Sequence, residues 1–377
     1  HRRELDRIQR ELRDIQGVTI LIHDQTCAAE KRRRRKKNDF PDPKRRIFIN
    51  PEVCEGCGDC GVQSNCLSIV PLETELGRKR AIDQSSCNKD FSCVEGFCPS
   101  FVSVLGGEPK KAGGVDSNEL QRHIHSSLEA LPIRSAEAAE CNMIVAGIGG
   151  TGVITIGAIV AMAAHLEHRS ASVLDMTGLA QKGGTVISHV RIGADEKSLG
   201  VVRIDNQQAD VAILCDSVAA SNPSAAQCIA TDKTQVFIND YLAPTSEFTR
   251  NPDVALPRTA LVEQLVQHSG TENSTQVDAH YLAEQLFGDS ILSNMMMLGI
   301  AWQKGAVPLS LAALERAIEL NGVAVEANQL AFEAGRLWAA QPEAINQLLK
   351  QKSVTVAQRP QQLSEAIALY SKRLRDY

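Results

Sequence analysis

Asn142-Met143-Ile144-Val145-Ala146-Gly147-Ile148-Gly149-Gly150-Thr151-Gly152-Val153 is the stretch that decides the fold. Residues 143–146 are an apolar run of strand length, 147–152 a glycine turn, and 153–166 an apolar run of helix length. Strand, glycine turn and helix in this order open a Rossmann-like, doubly wound α/β sheet. Gly147, Gly149 and Gly152 meet the G-x-G-x-x-G spacing, which leaves the first helical N–H groups free to hold an anionic group such as a pyrophosphate. The same glycines serve equally if the turn only lets helix and strand pack closely, so ligand site and structural turn both stay open. Asp175, near the end of the next strand, is an approximate counterpart of a ribose-binding acid.

Working outward, residues 172–174, 186–192, 211–214 and 236–238 read as further strands with helical runs between them. That alternation predicts a mostly parallel sheet covered on both faces. Gln181-Lys182-Gly183-Gly184-Thr185 is a second glycine loop at a carboxyl end of this sheet, where Lys182 can meet a phosphate as a point charge; the plain alternative is a solvated loop lysine. Residues 281–287, 293–302, 311–320 and 325–338 carry helix-period apolar positions, and Met295, Met296 and Met297 are expected in a core.

Before this body lies a different chemistry. Cys54, Cys57 and Cys60 form a C-x2-C-x2-C run in which Gly56, Gly58 and Gly61 let the backbone bend toward a bulky inorganic group, and Cys98-Pro99 follows. Three close thiolates plus a later Cys-Pro match the bacterial ferredoxin arrangement for a [4Fe–4S] cluster, whereas zinc usually takes two separated pairs. The simplest ligand set is Cys54, Cys57, Cys60 and Cys98. Cys66, Cys87 and Cys93 remain, three where a two-cluster ferredoxin would supply four, so one cluster or two stays open. Cys27, Cys141, Cys215 and Cys228 read as ordinary buried thiols.

Seven of eleven cysteines fall between Cys54 and Cys98, which speaks for metal or redox work rather than a disulfide framework. No run is apolar long enough to span a bilayer and no signal peptide precedes the first helix, which reads as a cytoplasmic protein without a membrane partner. Residues 1–50 hold 15 Lys+Arg against 8 Asp+Glu. Leu5, Ile8, Leu12 and Ile15 mark a helix, and residues 18–22 read as a buried strand behind Gly17. Lys31-Arg32-Arg33-Arg34-Arg35-Lys36-Lys37 reads as a solvated linker; with no interleaved aromatic it offers no stacking platform for single-stranded nucleic acid, and docking of an acidic electron carrier is its second reading. The first residue, His1, and the final run without a stop signal read as an internal piece of a longer polypeptide.

Together the residues from Cys54 to Cys66, Ser85-Ser86-Cys87-Asn88-Lys89-Asp90-Phe91-Ser92-Cys93, Cys98-Pro99, the Gly147 turn and the Gln181-Lys182-Gly183-Gly184 loop resemble the long fused bacterial indolepyruvate:ferredoxin oxidoreductases. These belong to the 2-oxoacid:ferredoxin oxidoreductase superfamily. The resemblance implies four segments: 1–37, the end of a thiamine-diphosphate-binding α/β domain; 46–105, a ferredoxin-like iron–sulfur module; 140–343, the gamma domain, with Asn294-Met295-Met296-Met297-Leu298-Gly299; and 358–377, the start of a truncated C-terminal domain. It implies oxidative decarboxylation of an aryl-pyruvate on thiamine diphosphate and Mg2+, electrons passing through [4Fe–4S] to ferredoxin, and coenzyme A taking the acyl group. It also implies that Gly147, Gly149, Gly152, Lys182 and Gly183 help hold a cofactor, and that the chain is homo-oligomeric within its own larger polypeptide. The family's Gly-Asp-Gly…Asn diphosphate motif is absent, so this stretch alone is not expected to decarboxylate. An NAD-linked iron–sulfur reductase and a zinc- and nucleic-acid-binding module are the rival readings.

Overall fold

Residues 2–36, 38–107, 117–129, 131, 140–178, 184–231, 233–243, 248, 251, 253–254, 258–350 and 362–376 are described in this computed structural model. The first helical spacing becomes α1 (Arg2–Asp14), laced by exposed pairs of Arg7 with Glu4 and Glu11 and of Arg10 with Asp6. The buried strand expected at 18–22 does not form: Val18, Ile20 and Ile22 are 94%, 78% and 86% exposed. A strand needs a neighbour to satisfy its N–H and C=O groups, and none of the described residues pairs with this one.

The basic run is likewise not a solvated linker. It forms α2 (Ala28–Lys36), where Arg32 donates to the Ser85 carbonyl at 3.3 Å and Arg35 to the Asn88 carbonyl at 2.7 Å. The guanidinium groups of Arg34 and Arg35 lie 5.3 and 5.5 Å from the Phe40 ring centroid. Arginine stems bury along apolar surface while their heads find carbonyls or an aromatic face. The charge run therefore packs on the cysteine segment, and the periodicity rule missed it because the helix has no apolar stripe.

That segment is built on two antiparallel pairs. β1 (Arg45–Ile49) leads to the short α3 (Asp59–Ser64), then to a hairpin of β2 (Ile69–Thr74) and β3 (Gly77–Ile82), and β4 (Phe101–Leu105) returns beside β1. Beyond it, α4 (Ser117–Leu128) buries Leu120 and Ile124 against the following body.

The body opens with β5 (Cys141–Ile148), the glycine turn and α5 (Val153–Leu166), then β6 (Ser170–Thr177), β7 (Thr185–Gly193), β8 (Val211–Leu214), the single turns α6 (Ser217–Ala220) and α7 (Pro223–Ala226), and β9 (Gln235–Asn239). Helix α8 (Arg258–Ser269) and β10 (Ser274–Val277) complete a six-stranded sheet in the order β10-β9-β8-β5-β7-β6. All strands run parallel except β7, which is antiparallel to both β5 and β6. The sheet is thus mostly parallel, as expected, and helices cover both faces: Met143, Val145, Val211 and Ile213 face one core, Ile144, Ala146, Ala212 and Leu214 the other.

In a simple doubly wound order β6 would lie beside β5; here β7 fills that place. Most of β7 is buried, on both of its faces, and β6 is half-exposed, so the more apolar strand takes the interior and the more polar one the edge.

A helical layer closes the body: α9 (Ala279–Phe287), α10 (Ser293–Gln303), α11 (Leu311–Asn321), α12 (Val325–Ala340) and α13 (Pro342–Lys350), with α14 (Leu363–Asp376) beyond. Every residue of α10 is buried, the three methionines among them. It crosses α12 where a Cβ on Gly299 would stand 2.0 Å from the Phe332 carbonyl oxygen, and one on Gly335 2.1 Å from that of Met296. Reciprocal glycines let the two backbones touch.

Candidate functional site

The two antiparallel pairs of the cysteine segment sort its thiols. Because Ile49 pairs with Phe101, Asn50 donates to the Ser100 carbonyl at 2.8 Å, and the Asn50 carbonyl accepts from Cys54 N at 2.9 Å. Cys98 Sγ lies 3.0 Å from Ser100 Oγ, so β1 and β4 bring the Cys-Pro thiol to the Cys54 loop. In the hairpin Ile69 pairs with Ile82, Asp83 N donates to the Ser68 carbonyl at 2.8 Å and Ser86 Oγ to Ser68 Oγ at 3.0 Å, which draws the Cys87 side to the Cys66 side.

Electrostatics repeats this division. Burial pushes the Cys60 thiol up to about 11 against the Gly61 backbone hydrogen bond and the Arg80 charge, and the thiols acting on it are Cys54 and Cys57. Burial pushes Cys93 up to about 12, and the thiols acting on it are Cys66 and Cys87. Cys54 and Cys57 thus go with Cys60, and Cys66 and Cys87 with Cys93, while Cys98 reaches the Cys54 loop through the pairing of β1 with β4.

The donors suit an iron–sulfur cluster. Gly56 N donates to Cys54 Sγ and Lys89 N to Cys87 Sγ, each at 3.4 Å, so each set has a backbone N–H aimed at a sulfur, the kind of bond that stabilises cluster thiolates. Gly56, at φ 77, packs so tightly on β3 that a Cβ would fall 2.3 Å from the Arg78 carbonyl oxygen. Among the described residues no three His, Cys, Asp or Glu side chains converge closely enough for one metal ion.

The second feature is a cavity of about 460 Å³ at the carboxyl ends of β5, β8 and β9, walled on the other side by the cysteine segment. Gly149, Gly150, Asp216 and Asn239 line the body side; Leu67 and Ser86, next to Cys66 and Cys87, line the other. Ligands of open α/β sheets bind in this crevice, where the strand order switches direction.

Each wall is fixed by its own bonds. Asn294 Nδ2 donates to the Thr151 carbonyl at 2.9 Å, and Thr151 Oγ1 to that of Ile148 at 2.7 Å, locking the glycine turn. Gly152, at φ 103, begins α5 with no side-chain cap. Asn239 donates to the Cys215 carbonyl and accepts from Ala279 N, both at 3.0 Å. Burial raises the Asp216 carboxyl pKa despite hydrogen bonds from Ala219 N and Ala243 N and the nearby His280. Burial also raises Asp83, but hydrogen bonds from Ser85 and Ser86 outweigh it and hold that carboxyl below its ordinary value. Tyr241 stacks on His280 with ring centroids 3.6 Å apart.

Of the fingerprint glycines, Gly147 is a packing residue: a Cβ there would lie 2.7 Å from Val153 and 3.0 Å from Cys215. Gly149 lines the cavity, and its N–H donates to the Gly184 carbonyl at 2.7 Å, tying the turn to the end of the second glycine loop. Lys182 and Gly183 lie outside the described residues. Asp175 accepts from Ser188 Oγ at 2.6 Å and sits on the edge strand, separated from β5 by β7, so it does not stand where a ribose-binding acid would. Cys141, Cys215 and Cys228 are buried as expected; Cys27 is exposed. Sequence reading missed Asp216, just after β8, Asn239, the last residue of β9, and His280, in the first turn of α9. For Asp216 and Asn239 the available signal was their place just after or at the end of apolar strand runs.

Comparison with known proteins bears on the body. Residues 142–338 match the family described as Pyruvate ferredoxin/flavodoxin oxidoreductase. The chain is 24% identical over 196 residues to the indolepyruvate oxidoreductase subunit IorB of Methanothermobacter thermautotrophicus, covering 52% of this chain and 95% of that protein. It is 27% identical over 203 residues to the same-named subunit of Archaeoglobus fulgidus, covering 52% and 92%. Among solved structures, pyruvate oxidoreductase subunit PORC of Thermotoga maritima aligns with a TM-score of 0.38 at 23% identity, covering 53% of this chain and 96% of that one. The 2-oxoglutarate:ferredoxin oxidoreductase of Magnetococcus marinus aligns with a TM-score of 0.40 at 17% identity, covering 54% and 32%. The family match spans more than half of the 377 residues, from β5 to within α12, and the chain belongs to the pyruvate ferredoxin/flavodoxin oxidoreductase family.

Proposed function

We propose that the chain is the iron–sulfur and gamma portion of an indolepyruvate:ferredoxin oxidoreductase, which decarboxylates an aryl-pyruvate oxidatively, transfers the acyl group to coenzyme A and passes electrons to ferredoxin. The observation that supports the reading is a seven-thiol segment whose Cys66 and Cys87 side borders the cleft of a body with this family's match. The names of the IorB relatives support indolepyruvate as the substrate. Cys54, Cys57, Cys60 and Cys98 hold one [4Fe–4S] cluster; Cys66, Cys87 and Cys93 are the ligands available to a second. When bound, such a cluster supplies a site that accepts and returns one electron at a time.

The chain's own residues position and shield. Gly56 N and Lys89 N donate to sulfur, and the β1–β4 and β2–β3 pairs hold the two thiol sets. In the cleft, Asp83 repels phosphate, while Arg32 and the uncapped start of α5 beside Gly149 and Gly150 attract it, so any phosphate of coenzyme A belongs at one of these, with Lys182 and Gly183 as further contacts. Residues 1–37 are read as the end of the thiamine domain, 46–105 as the iron–sulfur module, 140–343 as the gamma domain and 358–377 as the start of another. Thiamine diphosphate and Mg2+ are assigned to another part of the enzyme, since their motif is missing here. Among the described residues no helix is long and apolar enough to cross a membrane, and the reading is of a cytoplasmic enzyme.

Anaerobic purification and metal analysis test this. Iron with inorganic sulfide and a broad visible absorption that Cys57→Ala removes is the expected result; zinc without sulfide overturns it. In the complete enzyme, indolepyruvate should reduce ferredoxin only with coenzyme A present, and Cys57→Ala should stop that reduction.

A further inference from the structure

Arg80, on β3, is 2% exposed. A buried guanidinium is costly unless charge or a polarisable surface meets it. It lies over the Phe248 ring, 4.4 Å from the centroid, and donates to the Lys79 carbonyl at 3.2 Å. The cysteine loop rides on the same strand: Gly56 is packed against the Arg78 carbonyl, two residues before Arg80. Gly56 stands between the ligands Cys54 and Cys57, so the strand that carries Arg80 is the one their loop packs against.

We propose that Arg80 raises the reduction potential of the cluster held by Cys54, Cys57, Cys60 and Cys98, by keeping a buried positive charge on the strand against which the Cys54–Cys57 loop packs. The proposal rests on the iron–sulfur reading above. Reduction adds one electron and neither forms nor breaks a bond, so the charge at the sulfurs becomes more negative by one. A fixed cation favours that state, and more strongly where water is excluded.

Exclusion of water comes from the body. Phe248 covers the guanidinium, and Arg78 Nη1 donates to the Val254 carbonyl at 2.7 Å, clamping β3 under the same segment. Electron affinity in the module therefore depends on contact with the body, a link that ligand counting does not reveal.

The test is a redox titration of the full chain, anaerobically loaded, following the signal that Cys57→Ser removes. Arg80→Gln should shift the reduction equilibrium by at least tenfold toward the oxidised form, about 59 mV lower for a one-electron couple. Arg80→Lys, which keeps the charge, should stay near the unaltered chain, and Phe248→Ala, which admits water, should shift the same way as Arg80→Gln by less. An unchanged midpoint in Arg80→Gln overturns the proposal. If that variant retains no cluster, the midpoint of Phe248→Ala decides in its place: a downward shift supports the proposal, and none overturns it. An unaltered chain that takes up neither iron nor sulfide sinks the iron–sulfur reading itself, before any variant is compared.

Discussion

The α/β body and the cysteine segment are held together by different means. In the body, Met143, Ile144, Val145 and Ala146 on one strand are all fully enclosed, and two apolar clusters sandwich the sheet. In the cysteine segment the enclosed apolar residues are Ile47, Ile49, Cys54 and Ile69, while Ser64, Ser68, Arg80, Ser92 and Ser100 are just as buried. Phe97, beside Cys98, is 96% exposed. A unit with so small a core needs a staple, and on the function proposed above that staple is metal and sulfide.

The strongest way to break the contrast is to remove the staple. Chelation of iron, or Cys57→Ala with Cys60→Ala, should abolish the cooperative stability of the cysteine segment, a loss on the order of 5 kcal/mol, the low end for a domain. Amide exchange read by mass spectrometry should accelerate across β1 to β4 and hardly change in β5, β8 and α10. Equal acceleration in both regions would mean that the body needs the metal as well, and the contrast would fall.

The reverse experiment strikes the body alone. Gly335→Ala puts a methyl 2.1 Å from the Met296 carbonyl oxygen and 2.9 Å from its carbon and Cα, all on a fully buried helix. Backbone cannot rotate aside as a long side chain does, so α10 and α12 must separate. A cost of about 1–3 kcal/mol or more is expected, seen as a lower melting temperature, with cluster absorption intact until the body melts. Gly299→Ala should behave alike, and the pair together should cost less than the sum, because one shift of the helices relieves both.

How far the sequence announced each region follows the same line. β5, β8 and β9 were legible because a parallel strand buried on both faces is a short unbroken apolar run. β10 was not, since Ser274-Thr275-Gln276-Val277 lies at an edge and carries mostly polar residues. The close spacing of Cys54, Cys57 and Cys60 was visible in the sequence, but which later thiols lie on their side depends on which strands pair, and that is set by long-range register. The 18–22 run misled because apolar character marks a strand only when a partner exists. The basic helix misled because arginine buries through its stem and its carbonyl contacts, which a polarity pattern does not display. The cleft was invisible because its residues converge from turns, a strand end and a helix start far apart in the chain.

The smallest effect tests the strand order, the feature that separates this sheet from a simple doubly wound one. His189, on β7, is fully enclosed; its Nδ1 accepts from Ile204 N at 3.2 Å, and Nε2 has no hydrogen-bond partner among the described residues. Burial first, and then the positive charge of Arg203, lower its pKa below the ordinary 6.5. Its neutral form is therefore the one that folds: as pH falls through 6.5 the unfolded chain takes a proton that the folded chain refuses. Stability is full above that pH and lost below it, at up to about 1.4 kcal/mol per unit, until the folded pKa is reached. Urea midpoints at pH 7.5, 6.5 and 5.5 should fall in that order, and His189→Gln should flatten the part of the slope due to this residue. The slope exists because β7 lies between β5 and β6, with both faces covered. Were β7 the outer strand, as the simple order would have it, His189 would reach water and protonate equally in both states, and the variant would titrate like the unaltered chain.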